Sequence, residues 1–367
     1  MAILRLAPAG GLEQHALRLA AILAARGHEV AFLTTRPPAG QAPAGVDIQL
    51  LRTRGASNHG RLAAFAEDAR RAAHGFDRTV AFHAIPGFDL VFCADPSRSR
   101  PPAPRSLMPR YRTYARLERE ALGPAGRSLA LCLSSAQRDA FVRNNQTPAE
   151  RLVLLPPTVD RLASDPDVAT PTARDEARSR LGLGGATAVW LWMGLQPKTK
   201  GLDRAFAALA AAPSARLVVT GLDPASRPGG PARAEARRLG VDARVAWLGF
   251  CSPQQLRHAK AAADLLLHPS RADVTGTVIL EAMASGLPVI TTAVCGYGEH
   301  VIAADAGVVL PEPFRAADLA AALARATPDR LAAWSANALA YARRDELYTG
   351  LERAADAIEG AALAQTG

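Results

Sequence analysis

The sequence predicts an α/β protein made of two similar, doubly wound halves. Three observations predict it. Strand-like and helix-like runs alternate almost from end to end, the pattern of parallel sheets with crossover helices. The 367 residues suffice for two domains at roughly 150 residues each. The alternation also breaks once and restarts, at a stretch (163–173) that mixes Ser, Asp, Pro and Thr without periodicity and reads as a linker. The expected organisation is a first domain over 1–165, a second over 166–345, and a last helix over 346–367 packing back on the first.

The elements follow in order. Met1 opens into AILRLA, which is too short for a secretory core and lacks a cleavage site. It reads as a first buried strand, and the chain is expected in the cytosol. A Gly-Gly turn leads to LEQHALRLAAILAARG, amphipathic with Leu12, Leu19, Ile22 and Leu23 on one side and Gly27 at its stop. EVAFLTT, DIQLLR, RTVAFHA, DLVFCAD, SLALCLS and RLVLLPPTVD supply the further strands of this half. In the second half, strands at ATAVWLWMG, ARLVVTG, ARVAWLG, DLLLHPS and LPVITTAV alternate with helices. Those helices are expected over 202–212, 232–239, 253–263 and 276–285, and two more close the chain. Ligands of such sheets bind beyond the carboxyl ends of the strands, and two sheets facing each other would share one cleft.

Composition narrows the function. Hydrophobic residues make up 49% and charged residues 21%, as in soluble globular proteins. No apolar run approaches the ~18 residues of a membrane span. Lys plus Arg outnumber Asp plus Glu by 43 to 34, a net charge of +9. That excess points to an anionic partner such as nucleic acid, anionic lipid or a phosphorylated substrate, or to a basic surface set by arginine-rich composition. Aromatics are 5% and no basic-aromatic RNA motif occurs, so nucleic acid is not expected. Cys93, Cys132, Cys251 and Cys295 lie far apart, giving neither a zinc pattern nor a disulfide framework. No His/Asp/Glu group has metal-ligand spacing, so no metal is expected. His28, His59 and His268 read as structural, and His83, though it follows a strand, ranks below the candidates that follow.

The segment HPSRADVTGTVILEAMASGLPVITTAVCGYGEHV holds the densest chemistry. A buried strand ends at Ser270, a loop follows, and a helix begins near Gly276. Free N–H groups at such a start suit an anion. Thr275 and Thr277 flank Gly276 there. Asp273 precedes that start and Glu281 lies eight residues on, roughly 6–8 Å deeper along the axis. Carboxylates accept hydrogen bonds from vicinal hydroxyls, so the pair could read two sugars on either side of a diphosphate. Taken alone, Asp273 could equally be a helix N-cap and Glu281 a surface residue. Lys198 and Lys200 lie on the loop after the strand ending at Gly194. There an ammonium would steady a departing phosphate, or simply be solvated. His15 lies one turn into the first helix, to hydrogen-bond a sugar or phosphate or to pack. Arg161, after LPPTVD, is a candidate for the donor phosphate. Between Arg98 and Glu120 stand seven arginines and two tyrosines. A helix from Leu107 would put Leu107, Tyr111, Tyr114 and Leu117 on one side, as on an interfacial helix, or as on a helix packed on its own domain.

The run AADLLLHPS…GTVILEAMASGLPVITTAVCGY resembles the acid-x7-acid motif of the retaining GT-B glycosyltransferases of family 4. With SNHGR (57–61), PGFDLVFCADP (87–96), RYRTYARLERE (110–120), LVLLPP (152–157), KTKGLDRAFAAL (198–209) and LYTGLERAADAI (347–358), nearly the whole chain is similar to the lipopolysaccharide core heptose glucosyltransferase I type within it. The motif's first acid is Asp273 here rather than Glu, and Thr199 stands where that type often has Arg. The resemblance implies a GT-B fold, two Rossmann-like domains facing a cleft. It implies a hexosyltransferase moving a hexose, glucose first, from a UDP-sugar to an inner-core heptose of lipopolysaccharide with an α bond, or a family-4 enzyme with another lipid-linked or polysaccharide acceptor; the Asp at 273 leaves a non-catalytic nucleotide-sugar-binding membrane-surface protein as the non-enzymatic alternative. It implies that Lys200, Asp273 and Asp95 are catalytic, Asp95 near the reacting carbon unless it only forms the turn before Pro96. Donor binding falls to Gly11, His15, Arg161, Lys198, Lys200, Asp273, Thr275, Gly276, Thr277 and Glu281. Arg110, Tyr111, Arg112, Tyr114 and Arg116 would meet the anionic inner membrane from its cytoplasmic face. No cofactor is expected beyond the UDP-sugar substrate.

Overall fold

The computed structural model describes residues 1–7, 10–100, 104–161, 168, 170–185 and 188–360. The chain forms two compact units. One holds Met1–Thr158 and the chain from Tyr348 onward, and the other holds Val159–Leu347. Of the expected linker, residues 163–167 and 169 lie outside the described residues; its last residues, from Pro171, already belong to a helix.

The first unit runs α1 (Gly11–Ala25), β1 (Val30–Thr34), β2 (Val46–Leu50), α2 (Asn58–Ala72), β3 (Val80–Ala81), β4 (Leu90–Cys93), α3 (Pro109–Leu122), β5 (Leu129–Cys132), α4 (Ser135–Asn145) and β6 (Leu152–Leu154). All its strand pairs are parallel, β1 with β2 and β3-β4-β5-β6 in sequence. The opening segment joins the two sheets. Ala2 bridges Leu33 on one side and Ala81 on the other, through Ile3 N–H to Leu33 O at 3.1 Å and Ala2 N–H to Val80 O at 2.7 Å. The expected first strand is therefore an extended, buried segment rather than a full ladder. Counting it first, the spatial order is 3-2-1-4-5-6-7, with the reversal beside Ala2.

Local chemistry starts the helices where the sequence provides caps. Ser57 of SNHGR accepts from the Gly60 N–H at 3.1 Å and so begins α2. Pro109 stands in the first turn of α3, where its missing N–H costs nothing. Ala115, Leu117, Ala121 and Leu122 of α3 are buried, one stripe at helical spacing.

The second unit runs α5 (Pro171–Arg180), β7 (Ala188–Met193), α6 (Leu202–Ala210), β8 (Ala215–Thr220), α7 (Gly229–Arg238), β9 (Val245–Gly249), α8 (Pro253–Ala262), β10 (Leu265–His268), α9 (Thr277–Met283), β11 (Val289–Thr292), α10 (Gly298–Ala304), β12 (Gly307–Leu310), α11 (Ala316–Ala324) and α12 (Pro328–Ala342). Six parallel strands lie in the order β12-β11-β10-β7-β8-β9, which is the 3-2-1-4-5-6 winding of a dinucleotide-binding fold. Trp192, Phe206, Leu217, Leu267 and Ile290 are among its fully buried core. The close of the chain departs from expectation. Among the described residues, four α-helices and a further strand follow β11, where two helices were expected. GVVL is only four residues long, and its strand character comes from pairing with β11 rather than from its own pattern.

The last helix, α13 (Gly350–Glu359), belongs to the first unit. Arg26 holds Asp356 at 2.9 Å and Glu359 at 2.8 Å, and Gly350 N–H donates to Pro157 O at 3.1 Å. Among the described residues no helix is long and apolar enough to cross a membrane.

Candidate active site

In the second unit the winding reverses between β7 and β10, which are neighbours (Leu265 opposite Trp190). The loops leaving their carboxyl ends diverge there, and this is where such sheets bind ligands. The two loops are clamped together. Arg271 donates its N–H to Thr199 O at 2.8 Å and its guanidinium to Lys198 O at 2.8 Å. It also grips both Asp203 oxygens at 2.7 Å. Arg204 donates to Pro269 O at 3.0 Å and Ser270 O at 2.9 Å. Gly201 makes the approach possible. Its φ is 71°, and a Cβ there would stand 1.9 Å from Pro269 O, so no other residue fits.

The clamp brings two side chains, Lys200 and His268, onto one carboxylate oxygen of Asp273. Lys200 Nζ lies 2.6 Å from Asp273 Oδ2, and His268 Nε2 lies 3.0 Å from that same oxygen. Ser270 Oγ is 3.1 Å from His268 Nε2. The Asp273 side chain is 10% exposed. Burial alone would push its carboxyl up, but His268 and Lys200 hold it down at about 2. For His268, burial pushes the imidazole down, and the Asp273 carboxylate and the Cys295 thiol outweigh it, so the net shift is upward.

A third loop closes the arrangement. Tyr297 N–H donates to Thr275 O at 2.7 Å and Gly296 N–H to Asp273 O at 3.3 Å, which brings VCGY against DVTG. Gly276 precedes α9 with φ 76°, and Thr275 Oγ1 and Thr277 Oγ1 lie 3.3 Å apart. Glu281 is half-buried. Burial raises its carboxyl above the usual range; nearby Lys260 opposes the shift and Asp160 adds to it. Among the described residues His268, Asp273 and Cys295 bring their ligand atoms within 4.8 Å of one another, a grouping that chain spacing does not reveal. The Lys200 ammonium already occupies the shared carboxylate oxygen, and its charge opposes a cation there.

The first unit places its candidates at its own carboxyl-end loops. Gly11 is the first residue of α1, and Gly10 N–H donates to Glu13 at 2.9 Å. A Cβ on Gly11 would meet nothing within 4 Å among the described residues. Asp95 follows β4, exposed, with Arg98 at 2.8 Å. Gln137 fixes the backbone beneath it, donating to Cys93 O at 2.7 Å and Asp95 O at 2.8 Å.

Two family models divide the chain between them: that for glycosyl transferases group 1 matches residues 173–344, and that for glycosyltransferase family 4 matches residues 9–161. The chain is 35% identical to the lipopolysaccharide glucosyltransferase WaaG of Escherichia coli (strain K12), covering 96% of each. It is 34% identical to the D-inositol 3-phosphate glycosyltransferase of Rhodococcus opacus over 59% of this chain and 52% of that one. A crystal structure of WaaG superposes with a TM-score of 0.88 at 32% identity, over 98% of this chain and 99% of that one. The chain belongs to the family-4 glycosyltransferases. Its two units are the Rossmann-like domains of a GT-B enzyme. Anabaena HepE in complex with UDP and glucose shares that fold, at a TM-score of 0.72 and 21% identity over 98% of each chain.

Set against the sequence reading, this family-4 glycosyltransferase brings Lys200, Asp273, Thr275, Gly276 and Thr277 into one place, within the clamped loops. Others stand elsewhere. His15, for which packing was the alternative, is 9% exposed, and its Nε2 lies 3.0 Å from Thr158 Oγ1. Burial lowers its pKa to about 4, Arg18 adding to the shift, so its ring is held neutral. Lys198 is exposed and borders a separate depression of about 600 Å³ with Asp203, Pro228 and Glu235. Arg161 is ion-paired with Asp345. Of the basic helix, Leu117 is core, whereas Leu107 is 77% exposed. Tyr114 is half-buried with Arg98 stacked 4.8 Å above its ring, and Arg116 pairs with Glu120 at 2.9 Å. Sequence reasoning missed His268, Arg204 and Arg271. For His268 the signal was present, since it ends β10 on the side where Asp273 follows.

Proposed function

We propose that this glycosyltransferase moves glucose from UDP-glucose to an inner-core heptose of lipopolysaccharide, forming an α bond with retention. The observation that carries the reading is the Lys200–Asp273–His268 cluster at the switch point of the second unit, in a chain similar from end to end to a lipopolysaccharide glucosyltransferase. As the bond from the anomeric carbon to UDP breaks, negative charge grows on the β-phosphate. The Lys200 ammonium and the N–H groups around Gly276 stabilise it. Asp273 accepts from the hexose hydroxyls and Glu281 from the ribose. The acceptor hydroxyl attacks from the leaving-group side, its oxygen bonds to the anomeric carbon, and its proton passes to the departing phosphate. Asp95 lies in the acceptor-binding unit and orients that hydroxyl. Arg161 and Lys198 serve the donor only if its binding rearranges their present surroundings.

Lys200 and Asp273 pair with each other in the free protein. Donor binding must therefore insert phosphate and hydroxyl groups between them or share them, and Asp273 is one methylene shorter than the Glu of the family motif. The test is UDP release by purified protein given UDP-glucose, UDP-galactose or UDP-N-acetylglucosamine with heptose-terminated lipopolysaccharide, the anomer of the product being read by NMR. Release with UDP-glucose and an α linkage supports the reading. No release with any of the three sinks it. Transfer to another acceptor while heptose-terminated core stays inert replaces it with the alternative family-4 function.

The exposed Leu107 and Met108 stand beside exposed Arg105, Arg110 and Arg112. Apolar side chains ringed by cations support a role for the start of α3 on an anionic lipid surface, at the cytoplasmic face of the inner membrane. Co-sedimentation with phosphatidylglycerol vesicles, lost in Leu107→Asp/Met108→Asp, tests it. Equal sedimentation of both proteins overturns it.

A further inference from the structure

The first unit carries a cavity of about 410 Å³, within the ~300–1,000 Å³ range of small-ligand sites. It lies at that unit's own switch point. Its wall takes in Arg5 from the opening segment, His83 after β3 and Asp95 after β4. Phe82, Phe92 and Leu117 form an apolar floor, and the mouth is basic.

Three guanidinium groups line it: Arg5, Arg61 and Arg98. Two carboxylates do as well, but both are engaged. Glu118 accepts from Ser97 Oγ at 2.8 Å, Arg98 N–H at 2.6 Å and Ser99 Oγ at 2.6 Å. Asp95 is paired with Arg98 at 2.8 Å. Burial lowers the His83 pKa, so His83 adds no cation at neutral pH. Arg5 and Arg61 are left over. Arg61 donates to Asn58 Oδ1 at 3.2 Å, and neither arginine has a carboxylate partner among the described residues. They come from segments 56 positions apart in the chain, yet border one cavity. Asn58 and Arg61 belong to SNHGR and Tyr114 to RYRTY, motifs that the donor site leaves without a role.

We propose that this cavity is an acceptor subsite for an acidic saccharide group, a carboxylate or a phosphate, with Arg5 and Arg61 as the residues that recognise the acid. The proposal rests on the transferase reading above and gives its acceptor a required negative charge. A guanidinium matches either anion with two parallel N–H bonds. The apolar floor takes the C–H face of the sugar ring, and Asn58 is placed to bond its hydroxyls. The acid thus sets which residue of a branched acceptor is presented to Asp95.

The test is titration calorimetry on donor-free full-length protein with lipid-free, heptose-terminated core oligosaccharide in three forms: intact, dephosphorylated, and carboxyl-reduced. Wild type should bind the intact form and lose about tenfold or more with one of the treated forms, which names the source of the acid. Arg5→Gln/Arg61→Gln should bind all three alike, about tenfold or more below wild type on the intact form. Both side chains are exposed, so the variant should fold; if it does not, the three-way comparison on wild type still decides. Equal affinity of wild type for all three forms overturns the proposal. So does intact-form binding by the double variant as tight as wild type's. Because no donor or turnover is involved, acid-dependent binding without UDP release would refute the transferase reading alone. UDP release without acid-dependent binding would refute only the subsite.

Discussion

The two switch points of this enzyme are built in opposite ways. In the second unit the charges that join the two loops at the reversal are answered within the protein. Lys200 and His268 converge on Asp273, and Arg271 and Arg204 tie the two loops by bonds of 2.7–3.0 Å. In the first unit Arg5 and Arg61 border the reversal without a carboxylate partner among the described residues, and Asp95 is exposed. On the proposed function, the difference follows from what each would hold. A diphosphate leaving group needs donors already aimed at where charge will develop. A large saccharide can be captured by side chains that order only when it arrives. The first design stores its geometry in the fold, and the second leaves its charges for the ligand.

The sharpest way to break the contrast is at Gly201. Gly201→Ala drives a methyl into Pro269 O and forces a strained φ, which should cost at least about 4 kcal/mol. It should part the two loops of the second unit. Thermal unfolding should show one transition lowered, with acceptor binding by the first unit retained. An unchanged melting profile would mean that the loops are not clamped as described.

Lys200→Ala comes next. It removes the cation beside the leaving group but leaves His268 on Asp273, so the fold should hold while kcat falls about 10²–10³-fold, roughly 3–4 kcal/mol. UDP release measures it. A rise in KM for UDP-glucose with kcat unchanged would place Lys200 outside the chemistry.

How much of this could be read without coordinates depends on whether the signal was local. The alternation of runs and the loops after Gly194 and Ser270 are local, and so were Lys200, Asp273 and Gly276. Strand β12 was not legible, because four residues of GVVL become a strand only by pairing with β11. The Arg271–Asp203 grip joins residues 68 apart, and no periodicity encodes it. His15 and His268 show the limit from both sides. Each lies near a carboxyl-end loop, yet Thr158 takes the first ring into packing and Asp273 takes the second into the site. Partners distant in sequence decide which.

His15 supplies the third test, one specific to the first unit. Its pKa is about 4 folded against 6.5 ordinarily, so the unfolded chain takes up a proton first as pH falls. Stability is therefore full above about pH 6.5 and declines toward pH 4, by about 3 kcal/mol at most. Urea unfolding at pH 7 and pH 4.5 should show that loss in wild type and a smaller one in His15→Gln. Equal losses would mean that the ring is not held neutral.

The smallest effect tests the rim of the second unit. Arg271 and Asp203 are each more than a third exposed on the side chain, so solvent screens their attraction, and Arg271→Lys should cost only about 0.5–1 kcal/mol. A lysine cannot reproduce the two parallel bonds to Asp203 together with the bond to Lys198 O. If the clamp is what aims Lys200, the substitution should lower kcat several-fold more than that stability loss accounts for, and added salt should not mimic it in wild type. If kcat and melting temperature are both untouched, Gly201 and Arg204 alone hold the loops, and the prebuilt part of the donor site shrinks to the buried contacts around Asp273.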